Sequence, residues 1–286
     1  MCLKPKPIKS PFSSPAFYAD RSLRVSRYRL PLNPPPRIAH RIGNAMTASP
    51  VYASLDNPIW ASLTSTHAGL ALGATGGSGL ARRYPSSIGP LSAFAPACVE
   101  EPTVEAWSDL HAIIPAGDLA VLFLPHPPAP PAGWQLVRGG ALIQMTCPAL
   151  SDDEAQLDTI ERLNPPDFPE MLALATLTEP GPFRAQTAAL GGFLGVRIQG
   201  RLAAMAGRRL APAGFAEVSA VCTHPDFRGR GLARALVAAV TRGIFADGLQ
   251  PFLTSFEANS NAIRVYAQLG YVLRRGFHLA VVKPPA

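Results

Sequence analysis

The stretch from Val218 to Ala233, reading Val-Ser-Ala-Val-Cys-Thr-His-Pro-Asp-Phe-Arg-Gly-Arg-Gly-Leu-Ala, constrains the fold more than any other part of the chain. An apolar strand from Glu217 to about Thr223 runs into a turn holding two glycines and two arginines. An amphipathic helix follows at once, with Leu232, Leu236, Ala239, Val240 and Ile244 on its inner face and Gly248 as its stop. Free backbone N–H groups and the positive dipole end at such a helix start both point at the loop, and glycines let a bulky anion approach the main chain. Arg228 and Arg230 are placed to add charge-assisted bonds. This is the physics of a pyrophosphate site, although for those residues taken alone a tight strand-to-helix turn with two solvated arginines is the stronger account.

A second segment, Asn259 to Tyr271, supplies a matching surface. Asn259, Ala262 and Tyr266 are spaced by three and four residues, so an amide and a phenol lie along one face of a helix expected over 261–269, with Gly270 at its end. Strands are expected on either side, at 252–256 and at 271–282 with a break at Gly276. Upstream, 168–177 reads as a short helix entered through Pro165-Pro166, and 193–198 with 202–208 as a hairpin across Gln199-Gly200-Arg201. Leu119–Leu124 reads as a buried strand, 134–146 as two extended pieces around Gly139-Gly140, and Ser151-Asp152-Asp153 as a helix start or turn. Gly73 to Gly79 resembles a phosphate-cradling loop, but it lacks the G-x-G-x-x-G order and the Walker lysine and is taken as an ordinary loop.

Charge and composition narrow the classes. Residues 1–45 hold nine Lys or Arg against Asp20 alone, hence +8, while the other 241 residues carry 17 bases and 18 acids, hence −1. The pI near 9.6 therefore belongs to a Pro-rich tail, read as disordered, and gives no support to nucleic-acid binding by the body. A targeting segment, a polybasic arm and upstream sequence before a start at Met46 are the competing accounts of that tail. No apolar run approaches the ~18–20 residues of a membrane span. Cys2, Cys98, Cys147 and Cys222 form no C-x-x-C pair and the six histidines no H-x-x-x-H, so neither metal nor disulfide framework is signalled and a cytoplasmic setting fits best.

Taken together, Arg228-Gly229-Arg230-Gly231-Leu232-Ala233 and Asn259 through Tyr271 resemble the R-G-x-G-x-[AG] and N-x-x-A-x-x-x-Y-x-x-x-G-[FY] segments of the GNAT superfamily of acyl-CoA-dependent N-acyltransferases. The resemblance is specific over 217–271 and looser from about residue 155 to the C-terminus. It implies an α/β fold with a central mixed, splayed sheet flanked by helices, and acetyl-CoA as co-substrate. The pyrophosphate would rest on the amides of Arg228 to Ala233. The pantetheine arm would pair with Val221, Cys222 and Thr223, and Asn259 would bond the pantetheine or its own helix start. A backbone N–H of Val221 or Cys222 would serve the thioester carbonyl, and Tyr266 would protonate the departing sulfur. Glu217 is a candidate base acting through water, His224 is a second, and an acyl-cysteine at Cys222 is discounted because direct transfer needs no covalent intermediate.

The acceptor is expected near the segments 163–172 and 178–183, where Glu170 and Glu179 are candidates for an ammonium. The organisation expected is a tail over 1–45, a smaller α/β domain over 46–150 that would suit a degenerate second copy of the same fold, and the catalytic domain over 155–286. Transfer of acetyl to a primary amine is the leading reading. A non-catalytic acyl-CoA-binding or sensing module is its rival, and a tail-driven nucleic-acid or membrane-surface binder is a second.

Overall fold

The computed structural model describes residues 50–73, 76–151 and 159–285; the basic tail and Asp152-Asp153 lie outside them. Helix α1 (Pro58–Leu63) starts where the Asn57 side chain accepts from the Trp60 amide and Pro58 takes the first helical position. Three short strands, β1 (Leu72–Gly73), β2 (Ala81–Arg83) and β3 (Ser92–Phe94), pair antiparallel. Helix α2 (Val104–Ile113) lays Trp107 and Leu110 against Ala81 and Phe94 of that sheet. Asp109 of α2 accepts from the Ser78 amide at 3.2 Å, the Ser78 hydroxyl at 3.0 Å and the Leu80 amide at 2.8 Å. A carboxylate of the chain itself thus occupies donors of the glycine-rich loop that a phosphate would need.

The remaining elements are β4 (Ala120–Leu124), β5 (Gln135–Thr146), β6 (Ile160–Leu163), α3 (Phe168–Thr178), β7 (Phe193–Ile198), β8 (Arg201–Arg208), β9 (Phe215–Thr223), α4 (Leu232–Ala246), β10 (Gln250–Phe256), α5 (Ser260–Gln268) and β11 (Val272–Lys283). Eight strands form one mixed sheet in the order β4-β11-β5-β10-β9-β8-β7-β6, parallel at β9–β10 and antiparallel elsewhere. The fold is α/β, with this sheet flanked by helices. The β7–β8 hairpin closes through Gln199 and Gly200, both at positive φ, the backbone that a two-residue turn between twisted strands requires.

Two expectations change here. The boundary near residue 150 does not separate two sheets: β5 pairs with β10 and β11, and β4 with β11, so the described residues form one compact unit. Nor do Gly139-Gly140 and Gly276 break their strands. In β5 they leave room for aromatic side chains lying across the ladder, with Phe256 over Gly140 and His278 over Gly139, and β11 runs unbroken past Gly276.

One sheet face is covered by α4 and α5, which bury Leu232, Leu236, Val240, Ile244 and Tyr266 against Ala216, Val218 and Leu253. Ala239, expected inward, is only half-buried, whereas Ala235, Val237 and Ala238 are fully buried, because α4 sits deep enough to cover more than one stripe. The opposite face carries α3 over β7–β9 and, beside it, α1 with Tyr84 and Leu91 over β5, β10 and β11.

A clasp joins these two covers. Asp118 pairs with Arg83 at 3.0 Å and Arg184 at 2.6 Å, and accepts from the Ser86 hydroxyl at 2.6 Å. Burial alone would raise the Asp118 carboxyl, but hydrogen bonds from Arg184, Ser86 and Arg83 together hold it well below the usual carboxylate range. A depressed folded pKa means that stability from this group is complete above the unfolded carboxylate range and is lost as pH falls through the folded value. Asp118→Asn leaves the fully buried Arg83 guanidinium without its counter-charge. It should cost ~3 kcal/mol at neutral pH, and the deficit relative to the parent should shrink at acid pH. Thermal melts of both proteins from pH 7 to pH 3 check this.

Candidate active site

The centre of the sheet opens at β9 and β10. Their parallel pairing comprises Gln250 with Phe215, Pro251 with Ala216, and Phe252 with Glu217, and goes no further. Beyond Glu217, β9 stays on β8 while β10 follows β5, so among the described residues the edge of β9 from Val218 to Thr223 has no strand against it on the β10 side. The backbone groups of that edge are free for a ligand that pairs like a strand.

Within this free edge β9 carries a bulge. Met205 faces Cys222 and Gly207 faces Ser219, so Ala220 and Val221 together stand opposite Ala206 alone. Ala220 takes φ of +51°, a left-handed conformation that costs a non-glycine residue ~1–2 kcal/mol. Its effect is to break the alternation: Ser219 and Ala220 line the same slot on the α3 face, while Val221 packs on the other face with Leu232 and Tyr266. Neither composition nor spacing marks Ala220, because alanine carries no preference for this backbone.

Past Thr223 the chain makes a short turn through Pro225–Phe227 and reaches Gly229 and Gly231, at φ of +77° and +75°. A β-carbon at either glycine would meet nothing within 4 Å, so glycine is required by the backbone, and the space beside it is open. Gly231 is the N-cap of α4 and contributes no side chain, and no acidic residue stands in the first turn. Among the described residues no side chain caps this helix start. Arg230 and Arg201 lie over the Phe227 ring at 5.4 and 5.5 Å, and Arg228 Nε donates weakly to the Thr223 carbonyl at 3.4 Å. The cations are steadied by the turn itself.

Asn259 caps α5, its Oδ1 accepting from the Ala262 amide at 3.3 Å. About two turns on, Tyr266 is 9% exposed and shares the cluster of Leu232, Leu236, Val221 and Tyr271. The two motifs of the sequence thus meet in one cluster. Burial pushes the Tyr266 phenol up to about 12, and its hydroxyl makes no hydrogen bond with the described residues, whereas the neighbouring Tyr271 hydroxyl is shared with Thr241 at 2.7 Å.

Other candidates are placed differently. Glu217 is fully buried, not a solvated strand-end carboxylate: Arg209 donates to its two oxygens at 2.9 and 3.0 Å and the Leu210 amide donates at 3.3 Å. Charge-assisted bonds thus occupy both of its oxygens. His224 caps its own turn, Nδ1 accepting from the Asp226 amide at 3.2 Å with Nε2 3.1 Å from Arg201. Burial pushes the Cys222 thiol up to about 11, so it stays protonated and inert at neutral pH. Glu170 binds Arg197 at 2.5 Å and the Leu202 amide at 2.8 Å, which leaves it a structural carboxylate. Glu179 ends α3 in a left-handed conformation. Arg209 went unnoticed in the sequence because its partner stands on the adjacent strand, where only the β8–β9 register brings them together.

Residues 193–278 match the family described as FR47-like protein. No curated protein matches the chain in sequence. Among solved structures, a protein of Novosphingobium aromaticivorans assigned as a GNAT-family acetyltransferase is 39% identical, over 81% of this chain and 99% of its own, with a TM-score of 0.72. A GCN5-related N-acetyltransferase from Kribbella flavida shares the fold at 20% identity, over 80% of this chain and 96% of its own, with a TM-score of 0.52. Identity at that first level across nearly the whole of a relative, on a splayed sheet of this form, makes the chain a member of the GNAT family of acetyltransferases.

Proposed function

We propose that this protein moves the acetyl group of acetyl-CoA to a primary amine by direct attack, on a small molecule or a peptide. The observation that carries the reading is the continuity of two backbone features that no described residue satisfies: the edge of β9 beyond Glu217 leads directly into the glycine-opened start of α4. An extended arm ending in a diphosphate fits that sequence of donors. The amides of 228–233 would take the phosphates, Arg228 and Arg230 would add charge, and Val221 to Thr223 would pair with the arm. Asn259 keeps its side-chain N–H groups available while its oxygen caps α5.

The chemistry then needs little. The amine lone pair forms the N–C bond as the carbonyl π electrons move to oxygen, where a bulge amide at Ala220 to Cys222 stabilises the charge. Collapse breaks the C–S bond, the sulfur keeps the electron pair, and the nitrogen loses a proton to solvent. Tyr266 serves the departing sulfur by donating a hydrogen bond, and burial, which pushes its phenol up to about 12, keeps the proton on it at neutral pH.

This assignment fixes a pH profile. With Glu217 and His224 engaged elsewhere, kcat/KM should rise about tenfold per pH unit below the pKa of the acceptor amine and then level, since only the neutral amine attacks. Tyr266 must stay protonated, and its raised pKa predicts no descending limb between pH 7 and 10. A fall in rate near pH 8–9 would assign the donor elsewhere. CoA-thiol release against a panel of amines and peptides tests the function itself, and acetyl-CoA binding without release from any of them would favour the sensing module.

A further inference from the structure

β10 leaves β9 at Phe252, the last of its residues to pair with that strand. Phe252 and Phe256 face the core that holds Tyr84 and Leu91, and Leu253 faces the core of α4 and α5. By strand alternation Thr254 lies on the Phe252 side, the first residue after the split to do so. Continued for two more residues, the β9–β10 register would set Thr254 opposite Ser219, so it stands at the head of the gap. Thr254 is half-buried, yet its Oγ1 is covered and has no hydrogen-bond partner among the described residues. Gln144, its neighbour across on β5, is committed elsewhere: Nε2 donates to the Leu55 carbonyl at 3.0 Å and Oε1 accepts from Arg274 at 2.9 Å. A buried hydroxyl without a partner is costly in the free protein and calls for a group that completes it.

Resting on the acetyl-transfer reading, we infer that Thr254 orients the attacking amine, its hydroxyl oxygen accepting one N–H of the neutral nucleophile. A thioester lying in the gap like a strand continues the sheet, so its carbonyl is attacked from one sheet face or the other. Val221, Leu232 and Tyr266 fill the α4–α5 face, where the sulfur finds its donor. The amine is left the opposite face. Of Phe252, Thr254 and Phe256, which β10 turns to that face, only Thr254 is polar. One staggered step about χ1 carries the hydroxyl from its covered position to a group arriving in the gap. With one N–H held, the nitrogen lone pair is aimed at the carbonyl carbon. The N–C bond forms, the C–S bond breaks with its electron pair on sulfur, and the surplus proton on nitrogen passes to solvent. Thr254 keeps its own proton throughout.

The parent, Thr254→Val and Thr254→Ser test this with two ligands that differ only where the amine would lie, S-(2-aminoethyl)-CoA and S-propyl-CoA. By calorimetry the aminoethyl-to-propyl affinity ratio should be about tenfold lower in Thr254→Val than in the parent, and Thr254→Ser should keep the parent's ratio. Acetyl-CoA and S-propyl-CoA should bind all three proteins alike. With ethylamine and phenethylamine as acceptors, kcat/KM should fall about tenfold in Thr254→Val and recover in Thr254→Ser. The pH at which the profile levels should not move, because threonine does not titrate in this range. Thr254→Val removes no internal bond, so its melting temperature should hold or rise. An unchanged affinity ratio in Thr254→Val overturns the inference whether or not either amine turns over. A marked fall in its melting temperature also overturns it, since the hydroxyl would then be bonded inside the protein. A parent that binds neither acetyl-CoA nor S-propyl-CoA overturns the transferase reading instead, and this inference with it.

Discussion

Gly231→Glu is expected to remove acetyl-CoA binding while leaving the protein folded. Gly231 is the N-cap of α4 at φ of +75°, so any side chain there is strained by ~1–2 kcal/mol, but a β-carbon meets nothing within 4 Å and no packing is lost. A carboxylate at a helix N-terminus also regains ~0.3–1 kcal/mol from the dipole, so the net cost is small against the stability of a domain this size. For a diphosphate the same carboxylate is a competitor for the free amides and a like charge at contact distance. Like-charge juxtaposition of that kind costs several kcal/mol, so affinity should fall more than 1000-fold. Gly231→Ala carries the strain without the charge and should bind with only a modest loss. Calorimetry on the three proteins, with circular dichroism as the check on folding, separates the terms. Unchanged affinity in a folded Gly231→Glu protein would remove the pyrophosphate from α4 and with it the proposed pose.

The reason this site was legible in the sequence is that its physics is local. Gly229 and Gly231 sit within one turn of the helix they open, and Asn259 and Tyr266 within one short helix, so spacing alone places them on one surface. What the sequence hid is set by the register between paired strands. The partner of Glu217 is fixed by the register of β8 on β9, and a strand-end carboxylate looks the same in sequence whether water or Arg209 meets it. The boundary expected near residue 150 failed for the same reason. Val272 of β11 lies against Thr146 of β5, a contact between residues more than a hundred positions apart that no local periodicity records. Ala220 is the extreme case, a residue with no side-chain signature whose backbone is dictated entirely by a two-against-one mismatch with the neighbouring strand.

Tyr266→Phe should lower turnover ~100-fold and leave the affinity for acetyl-CoA nearly unchanged. The ring is 9% exposed and packed with Leu232, Leu236 and Tyr271, and phenylalanine keeps all of that contact. The hydroxyl makes no hydrogen bond with the described residues, so its loss breaks no internal bond and the melting temperature should hold. Its value lies only in the transition state, where negative charge gathers on sulfur in a site dry enough to push the phenol up to about 12. A fixed donor at such a charge is worth ~2–3 kcal/mol, and the thiolate, already a tolerable leaving group, keeps the penalty at the lower end of the range for general acid–base groups. An equal drop in kcat and kcat/KM is the signature of an interaction made in the transition state alone. Full turnover in Tyr266→Phe while chemistry limits the rate would make the tyrosine a packing residue. Collapse of acetyl-CoA affinity with turnover intact would make it a clamp on the co-substrate, because a hydroxyl that binds the ground state and the transition state equally changes KM and leaves kcat where it was.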